Sequence, residues 1–336
     1  MKTNLDEGKR WAHWREVAEQ DERGRVQGMA QALRARFPTP RKRPVRTQAP
    51  TSAPGRSPPR AQRRKPGATW PDCGATILAT SLESRPVKLA LLSDVHANLL
   101  ALQACLAHAR ATGATRFALL GDHVGYGAEP DAVVDVVTAL AAEGAIVLRG
   151  NHDQAALTRP ARRDTGEAIS AAWTHDKLSE AQRGFLAQLP LEATRDGTLF
   201  VHASADAPER WHYVDRQLLA ARCLQAADQR HGARRVFCGH VHHQRLFYQG
   251  RGGGLMAFEP EGGTPMPLGA HRCWLATVGS VGQPRDGDPR AMYALLDAAQ
   301  ERLSFHRVAY DHIGAAAAIR RAGLPEHFAQ RLEAGR

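Results

Sequence analysis

The sequence predicts an α/β fold preceded by an extension that does not join it. Three short apolar runs between residues 87 and 148 alternate with amphipathic helical stretches. This is the β-α-β-α-β pattern of parallel strands joined by right-handed crossovers. Strand-like segments separated by glycine-rich loops fill the later half, which reads as antiparallel pairing. Basic charge, meanwhile, is concentrated ahead of the first strand.

The chain has 336 residues, enough for one large domain or two ordinary ones with a sizeable core. Lys and Arg number 45 against 34 Asp and Glu, but residues 1–86 hold 18 of the former and only 8 of the latter. The body is therefore nearly neutral, and the basic balance belongs to the extension. Residues 38–66 contain eight prolines, nine Lys or Arg and no acid. Such a stretch buries too little apolar surface to offset chain entropy, so disorder is expected over most of 1–86. It reads as a solvated linker or as an arm for polyanions. Aromatics do not interleave with the basic residues to stack bases, so nucleic-acid binding is not favoured.

Five scattered cysteines without C-x-x-C spacing argue for a reducing compartment. The first residues contain no apolar h-region, and no run approaches the roughly 20 apolar residues that cross a bilayer. The expectation is a cytoplasmic protein that does not enter membranes. Its domains are the extension 1–86, a body over 87–310 and a helical tail over 311–336 that packs on it.

Each element has its own signal. Residues 87–93 form an apolar run bounded by polar residues, as a buried parallel strand does. A helix follows over 98–111, with Leu99, Leu102, Leu106 and Ala109 on one face and Gly113 ending it. A strand over 117–120 runs into Gly121-Asp122. Pro130 opens a helix reaching 143, since proline suits a first helical turn. A third strand, 145–148, ends in Gly150-Asn151-His152-Asp153. Helical stretches at 167–176 and 180–189 precede a strand at 198–201 that ends in His202. A helix over 215–229 leads to a strand at 235–238, which ends in Gly239-His240-Val241-His242. Strands at 245–248, 255–258, 273–278, 291–296 and 302–308 follow, and residues 313–336 read as a short helix pair.

The polar clusters at these strand ends carry the chemistry. In open α/β sheets ligands bind at the carboxyl ends of strands. Asp94 and His96 lie two residues apart where the first strand stops, so strand alternation would aim both at one point. Asp122, Asn151, His202, His240 and His242 join them. All seven offer oxygen or imidazole and none offers thiolate, which suits Mn, Fe or Zn better than Cu(I) or Fe–S. One ion has too few positions for seven side chains, whereas two ions sharing a carboxylate can use them. Such pairs serve hydrolysis and phosphoryl transfer.

Asp94-x-His96, Gly121-Asp122-x-x-Gly125, Gly150-Asn151-His152-Asp153, His202 and Gly239-His240-x-His242, in this order, resemble the calcineurin-like metallophosphoesterase superfamily. The resemblance spans about residues 87–310. It implies a four-layer sandwich of two mixed β-sheets flanked by helices. It implies one ion on Asp94, His96 and His242, a second on Asn151, His202 and His240, and Asp122 bridging. It also implies phosphoester hydrolysis by a metal-bridging hydroxide, with His152 contacting phosphate and protonating the leaving oxygen. Asp153 would orient His152, because a carboxylate beside an imidazole fixes its tautomer. Manganese is the expected cofactor, with Fe, Zn, Ni or Mg as alternatives.

Residues 279–289, G-S-V-G-Q-P-R-D-G-D-P, resemble the small bacterial phosphodiesterase branch that includes diadenosine tetraphosphate hydrolases. That implies a small phosphorylated substrate such as a nucleotide or dinucleoside polyphosphate. Backbone N–H groups over 279–282 and the side chain of Arg285 are candidate phosphate contacts; the bland reading is a plain turn. His123, His212 and His243 lie near the motifs and are candidates for the cleft wall, while His108 and His175 are expected on helix surfaces. Trp211-His212-Tyr213 forms either an aromatic wall or a local packing cluster. Two other readings remain: a metal-bearing scaffold without turnover, and a nuclease guided by the basic extension.

Overall fold

The computed structural model describes residues 87–249 and 254–336. The expectations for residues 1–86 lie outside the described residues, as does most of the 250–254 loop. Two six-stranded mixed sheets form the centre.

The first sheet begins with β1 (Lys88–Leu92), followed by α1 (Leu99–Ala111), β2 (Arg116–Leu119), α2 (Pro130–Ala142) and β3 (Ile146–Val147). These three strands are parallel, as the crossovers require. Asn98 starts α1 by accepting a hydrogen bond from the Ala101 amide at 3.1 Å. Three helices then run in sequence: α3 (Asn151–Leu157), α4 (Gly166–Lys177) and α5 (Glu180–Gln188). The first of them lay hidden in the sequence, because its opening turn is the polar motif itself.

The second sheet takes β4 (Glu192–Arg195) and β5 (Thr198–Val201), then β6 (Arg235–Cys238) after α6 (Gln217–His231). Next come β7 (Gln244–Gln249), β8 (Leu255–Phe258), β9 (Met266–Pro267), β10 (Trp274–Val278), β11 (Ala291–Asp297) and β12 (Arg302–Val308). Helices α7 (His312–Arg321) and α8 (Glu326–Ala334) close the chain. The sheet orders are β3-β2-β1-β11-β12-β9 and β4-β5-β6-β10-β7-β8. The antiparallel reading of the later half holds with one exception: β10 lies parallel to β6 on one side and antiparallel to β7 on the other.

Alternation along β1 explains the layering. Leu89 and Leu91 join Phe200, Phe237, Leu246 and Phe305 in a core fed by both sheets. Ala90 and Leu92 face the opposite way, into a core with α1, α2 and α5. A third core seats α6 on the outer face of the second sheet through Ala220, Cys223, Leu224 and Val236. Both faces of each sheet are thus covered, giving four layers. Helices α7 and α8 share a smaller core with Tyr126.

Phe237 is 1% exposed and packs on Phe200 at 5.9 Å between ring centroids. Replacing it with alanine leaves a cavity between the sheets. Phe237→Ala is expected to cost about 3–5 kcal/mol, read by urea unfolding of the purified protein.

Candidate metal centre

All seven ligand candidates sit where strands of the two sheets end. Asp94 and His96 follow β1, Asp122 follows β2, and Asn151 and His152 open α3 after β3. From the second sheet, His202 follows β5, while His240 and His242 follow β6. The site therefore straddles both sheets at one edge.

Asp94 and His96 do not converge by strand alternation. The strand has ended, and both residues take the left-handed conformation, with φ of 54° and 49°. Asp122, His240 and His242 do likewise, at 55°, 66° and 57°. Asp and His tolerate this region better than most residues, at a cost of about 1–3 kcal/mol each. Neighbouring loops hold them there. The amides of Asp94 and His96 donate to the carbonyls of Gly121 and Asp122, both at 3.0 Å.

The ring nitrogens divide into anchors and free lone pairs. His96 Nδ1 faces Val124 O at 3.3 Å, His202 Nδ1 faces Leu120 O at 3.0 Å, and His242 Nδ1 faces Gln283 O at 2.6 Å. A carbonyl only accepts, so each Nδ1 carries a proton, and in the neutral ring Nε2 presents a lone pair. The Nε2 atoms of His96 and His242 then lie 3.1 Å apart. Two facing lone pairs repel unless a proton or cation lies between them. His240 Nε2 is buried and has no hydrogen-bond partner.

The carboxylates fit the same demand. Asp122 Oδ1 accepts from the His152 amide at 2.8 Å. Its Oδ2 is 3.3 Å from His202 Nε2 and 3.9 Å from His96 Nε2, so it faces both halves of the site. Asp94 Oδ1 lies 3.3 Å from His242 Nε2, and its Oδ2 accepts from the His240 amide at 2.9 Å. Asn151 Oδ1 is 3.2 Å from His202 Nε2. Burial alone would raise both carboxyl pKa values, but imidazoles reverse that, His242 first for Asp94 and His202 first for Asp122, and hold both ionised. Burial keeps His96 neutral and pushes His240 down to about 4. At His202 burial is overridden by the Asp122 charge, which lifts it to about 9. Buried carboxylates and inward-turned imidazole nitrogens, with His202 giving up its Nε2 proton on loading, are the donor set of a divalent metal site.

A cavity of about 380 Å³ opens over the centre. Besides ligands, its walls include Tyr126, His152, Glu167, Ala168, Tyr213 and Arg285. A Cβ on Gly125 would meet His152 Nδ1 at 2.8 Å, and its φ of +88° also demands glycine.

Several expectations need correction. Asp153 does not bond to the His152 ring: its Oδ1 accepts from the amides of His123 and Val124, and its Oδ2 from that of Gly150. At the third position of α3 a carboxylate meets backbone donors before it meets a neighbour's ring. The amides of Val281 and Gly282 donate to Ser93 O and Asp94 O at 2.9 Å, so they brace the metal loop and leave nothing for phosphate. His123 is fully buried with Nε2 on Leu148 O at 2.8 Å, outside the cavity wall. His212 turns outward to Asp206 at 3.3 Å, whereas Tyr213 stacks on His240 at 4.1 Å and Trp211 lies 5.8 Å from His202. His243 folds back on Val241 O. His108 and His175 are half-buried, on Tyr293 Oη and Ala156 O respectively.

Some residues of the site escaped sequence reading. Ser280 Oγ donates to Asp94 O at 2.8 Å, and Asn98 Nδ2 to Gly282 O at 2.9 Å. Tyr126 directly follows the second motif glycine, a position that marks it in retrospect. Glu167 and Ala168 carry no signal, because α4 looks like an ordinary amphipathic helix.

Residues 87–301 match the family model described as the calcineurin-like phosphoesterase superfamily domain. A curated protein of Methanocaldococcus jannaschii, itself described only as uncharacterized, is 32% identical over 254 residues, 74% of this chain and 98% of that one. The crystal structure of a metallophosphoesterase from Sphaerobacter thermophilus is similar at 34% identity and a TM-score of 0.66, covering 74% of this chain and 99% of that chain. A hypothetical protein from Pyrococcus horikoshii shares the fold at 20% identity and a TM-score of 0.58, covering 74% and 99%.

The Asp153 geometry separates two roles. Asp153→Ala strands three amides, so it is expected to lower stability by about 2–4 kcal/mol in chemical denaturation. Unchanged stability with lost activity would instead return the carboxylate to the His152 ring.

Proposed function

The chain belongs to the calcineurin-like phosphoesterase superfamily, and from that premise we propose that it hydrolyses a small phosphorylated ester using two divalent ions. Metal-dependent phosphoester hydrolysis is the general activity of the family. Asp94, His96 and His242 would hold one ion, Asn151, His202 and His240 the other, and Asp122 would lie between. The observation that carries the reading is Asp122 Oδ2, which faces His202 on one side and His96 on the other. When bound, the ions supply Lewis acidity, lowering the pKa of a water and neutralising charge on phosphorus oxygens.

The chain's own residues do the rest. The rings of His96, His202 and His242 are directed by buried carbonyl anchors, so little reorganisation accompanies loading. His152 lines the cavity without an anchor of its own on a carbonyl, and its backbone is fixed by Asp122. We assign it the proton given to the leaving oxygen. Arg285 enters the same cavity, with Nη2 donating to Gln283 Oε1 at 3.0 Å, and is placed to meet a phosphate oxygen. No serine or cysteine nucleophile is called for: Cys105, Cys223 and Cys238 are buried in cores, and burial pushes their thiols up.

Manganese is the first ion to try, and a nucleotide or dinucleoside polyphosphate the first substrate class. Cytoplasmic location suits the four described cysteines, all free thiols. Among the described residues no helix is long and apolar enough to cross a membrane.

Manganese-loaded protein should cleave bis-p-nitrophenyl phosphate and hold two ions per chain by elemental analysis. His152→Asn should retain both ions and lose about 10²–10⁴-fold in kcat. Asp122→Ala should lose metal. Full loading without cleavage of that diester or of any nucleotide in a panel would leave a non-catalytic metal scaffold as the function.

A further inference from the structure

Tyr126 belongs to no ligand set, yet the cavity is built around it. It is 4% exposed. Its ring lies 4.3 Å from the His152 ring and 4.7 Å from the His96 ring, centroid to centroid. Phe328 of α8 packs against it at 4.9 Å. The Arg285 guanidinium carbon is 6.0 Å from its centroid, and that of Arg331 is 5.9 Å. One aromatic plate thus touches the general acid, a metal ligand, the anion contact and the C-terminal helix.

The same helix touches two further segments of the cavity. A Cβ on Gly166 at the start of α4 would meet His327 at 2.8 Å and Phe328 at 3.3 Å. That turn carries Glu167 and Ala168 into the wall. The Gly287 amide donates to Gly335 O at 2.7 Å, tying the C-terminal end of α8 to the loop that bears Arg285. The family-model match covers residues 87–301, and the hairpin lies C-terminal to that match.

We propose that Tyr126, backed by Phe328, is a positioning residue that fixes the His152 ring and the Arg285 guanidinium on the leaving-group side of the cavity. The inference rests on the hydrolase reading for its kinetic consequence but not for its binding consequence. Packing against the tilted, buried Tyr126 ring restricts His152, which has no carbonyl anchor, in the way the carbonyls restrict the ligand histidines. Guanidinium packed on the same ring loses less freedom when an anion arrives. Without the plate, both groups retain their chemistry and lose their aim.

The test uses full-length, manganese-loaded protein and three variants. Tyr126→Leu removes the ring, Phe328→Ala removes its backing, and Ile319→Ala loosens the hairpin core away from the cavity. Metal content and thermal midpoint are measured for each. A positioned general acid matters for a sugar-hydroxyl leaving group and little for p-nitrophenolate, so Tyr126→Leu and Phe328→Ala should lose about 10–100-fold on a dinucleotide and under about threefold on bis-p-nitrophenyl phosphate. Calorimetric affinity for inorganic phosphate should fall about tenfold in both and hold in Ile319→Ala. Equal losses on the two esters, or a phosphate affinity that falls as much in Ile319→Ala, overturn the proposal. Were the parent to cleave nothing, the hydrolase reading would fail, and phosphate affinity together with amide exchange at Gly287, expected faster only in Phe328→Ala, would still decide the positioning role.

Discussion

Everything in this molecule is arranged around buried lone pairs that face one another. Three imidazoles spend their Nδ1 protons on backbone carbonyls and turn Nε2 inward, where the Nε2 atoms of His96 and His242 come within 3.1 Å. Two ionised carboxylates share the space. Hydrophobic collapse does not produce such a group, since desolvating unpaired acceptors is costly. A proton or a bound cation between the nitrogens makes the arrangement favourable, and the scaffold holds it ready for either. The fold is the means by which apolar burial elsewhere stabilises a polar centre that opposes it.

The cost is visible in the backbone. Five of the seven candidate ligand residues adopt left-handed φ values. Such conformations persist where the surroundings over-determine them. Here the β1 loop is pinned from two sides. The β2 loop accepts its amides, and residues 280–282 donate to Ser93 and Asp94 carbonyls. Those latter donors come from the segment between β10 and β11, one of the connections between the two sheets. Packing of one sheet on the other therefore fixes the β1 loop as well as the core. Four layers are needed because a single sheet covers only one side of this edge.

The sequence displayed much of this. Apolar runs with abrupt polar ends located the strands, and the polar clusters that follow them meet at one edge, because strand ends in an α/β sheet share an edge. What it did not display was direction. Asp153 follows His152 in the chain but spends its oxygens on amides of another loop and of its own helix start. His212 and Tyr213 are neighbours, and only Tyr213 stacks on a ligand. In a loop each side chain's direction depends on φ and ψ of its own residue, so spacing carries no period to read. Amide bookkeeping was equally hidden: the glycine-rich turn at 279–282 resembles a phosphate cradle, yet its Val281 and Gly282 amides serve the β1 loop. The C-terminal hairpin read correctly as helices, but its contact with Tyr126 spans about two hundred residues of chain and leaves no local trace.

The close approach at Gly125 shows how two motifs far apart in sequence form one physical unit. The His152 ring lies where a Cβ at Gly125 would be, with Nδ1 at 2.8 Å and Cγ at 3.1 Å from that position. A larger residue there would have to displace the ring, and the ring is bounded by Tyr126 at 4.3 Å and His96 at 5.1 Å. Interiors packed to crystal density offer no slack for such a shift. The second glycine of G-D-x-x-G is thus the floor on which the histidine of G-N-H-D stands. Its φ of +88° then sets the turn that delivers Tyr126 to within 4.3 Å of that ring. A single glycine therefore supplies both the space for the His152 ring and the geometry of its support.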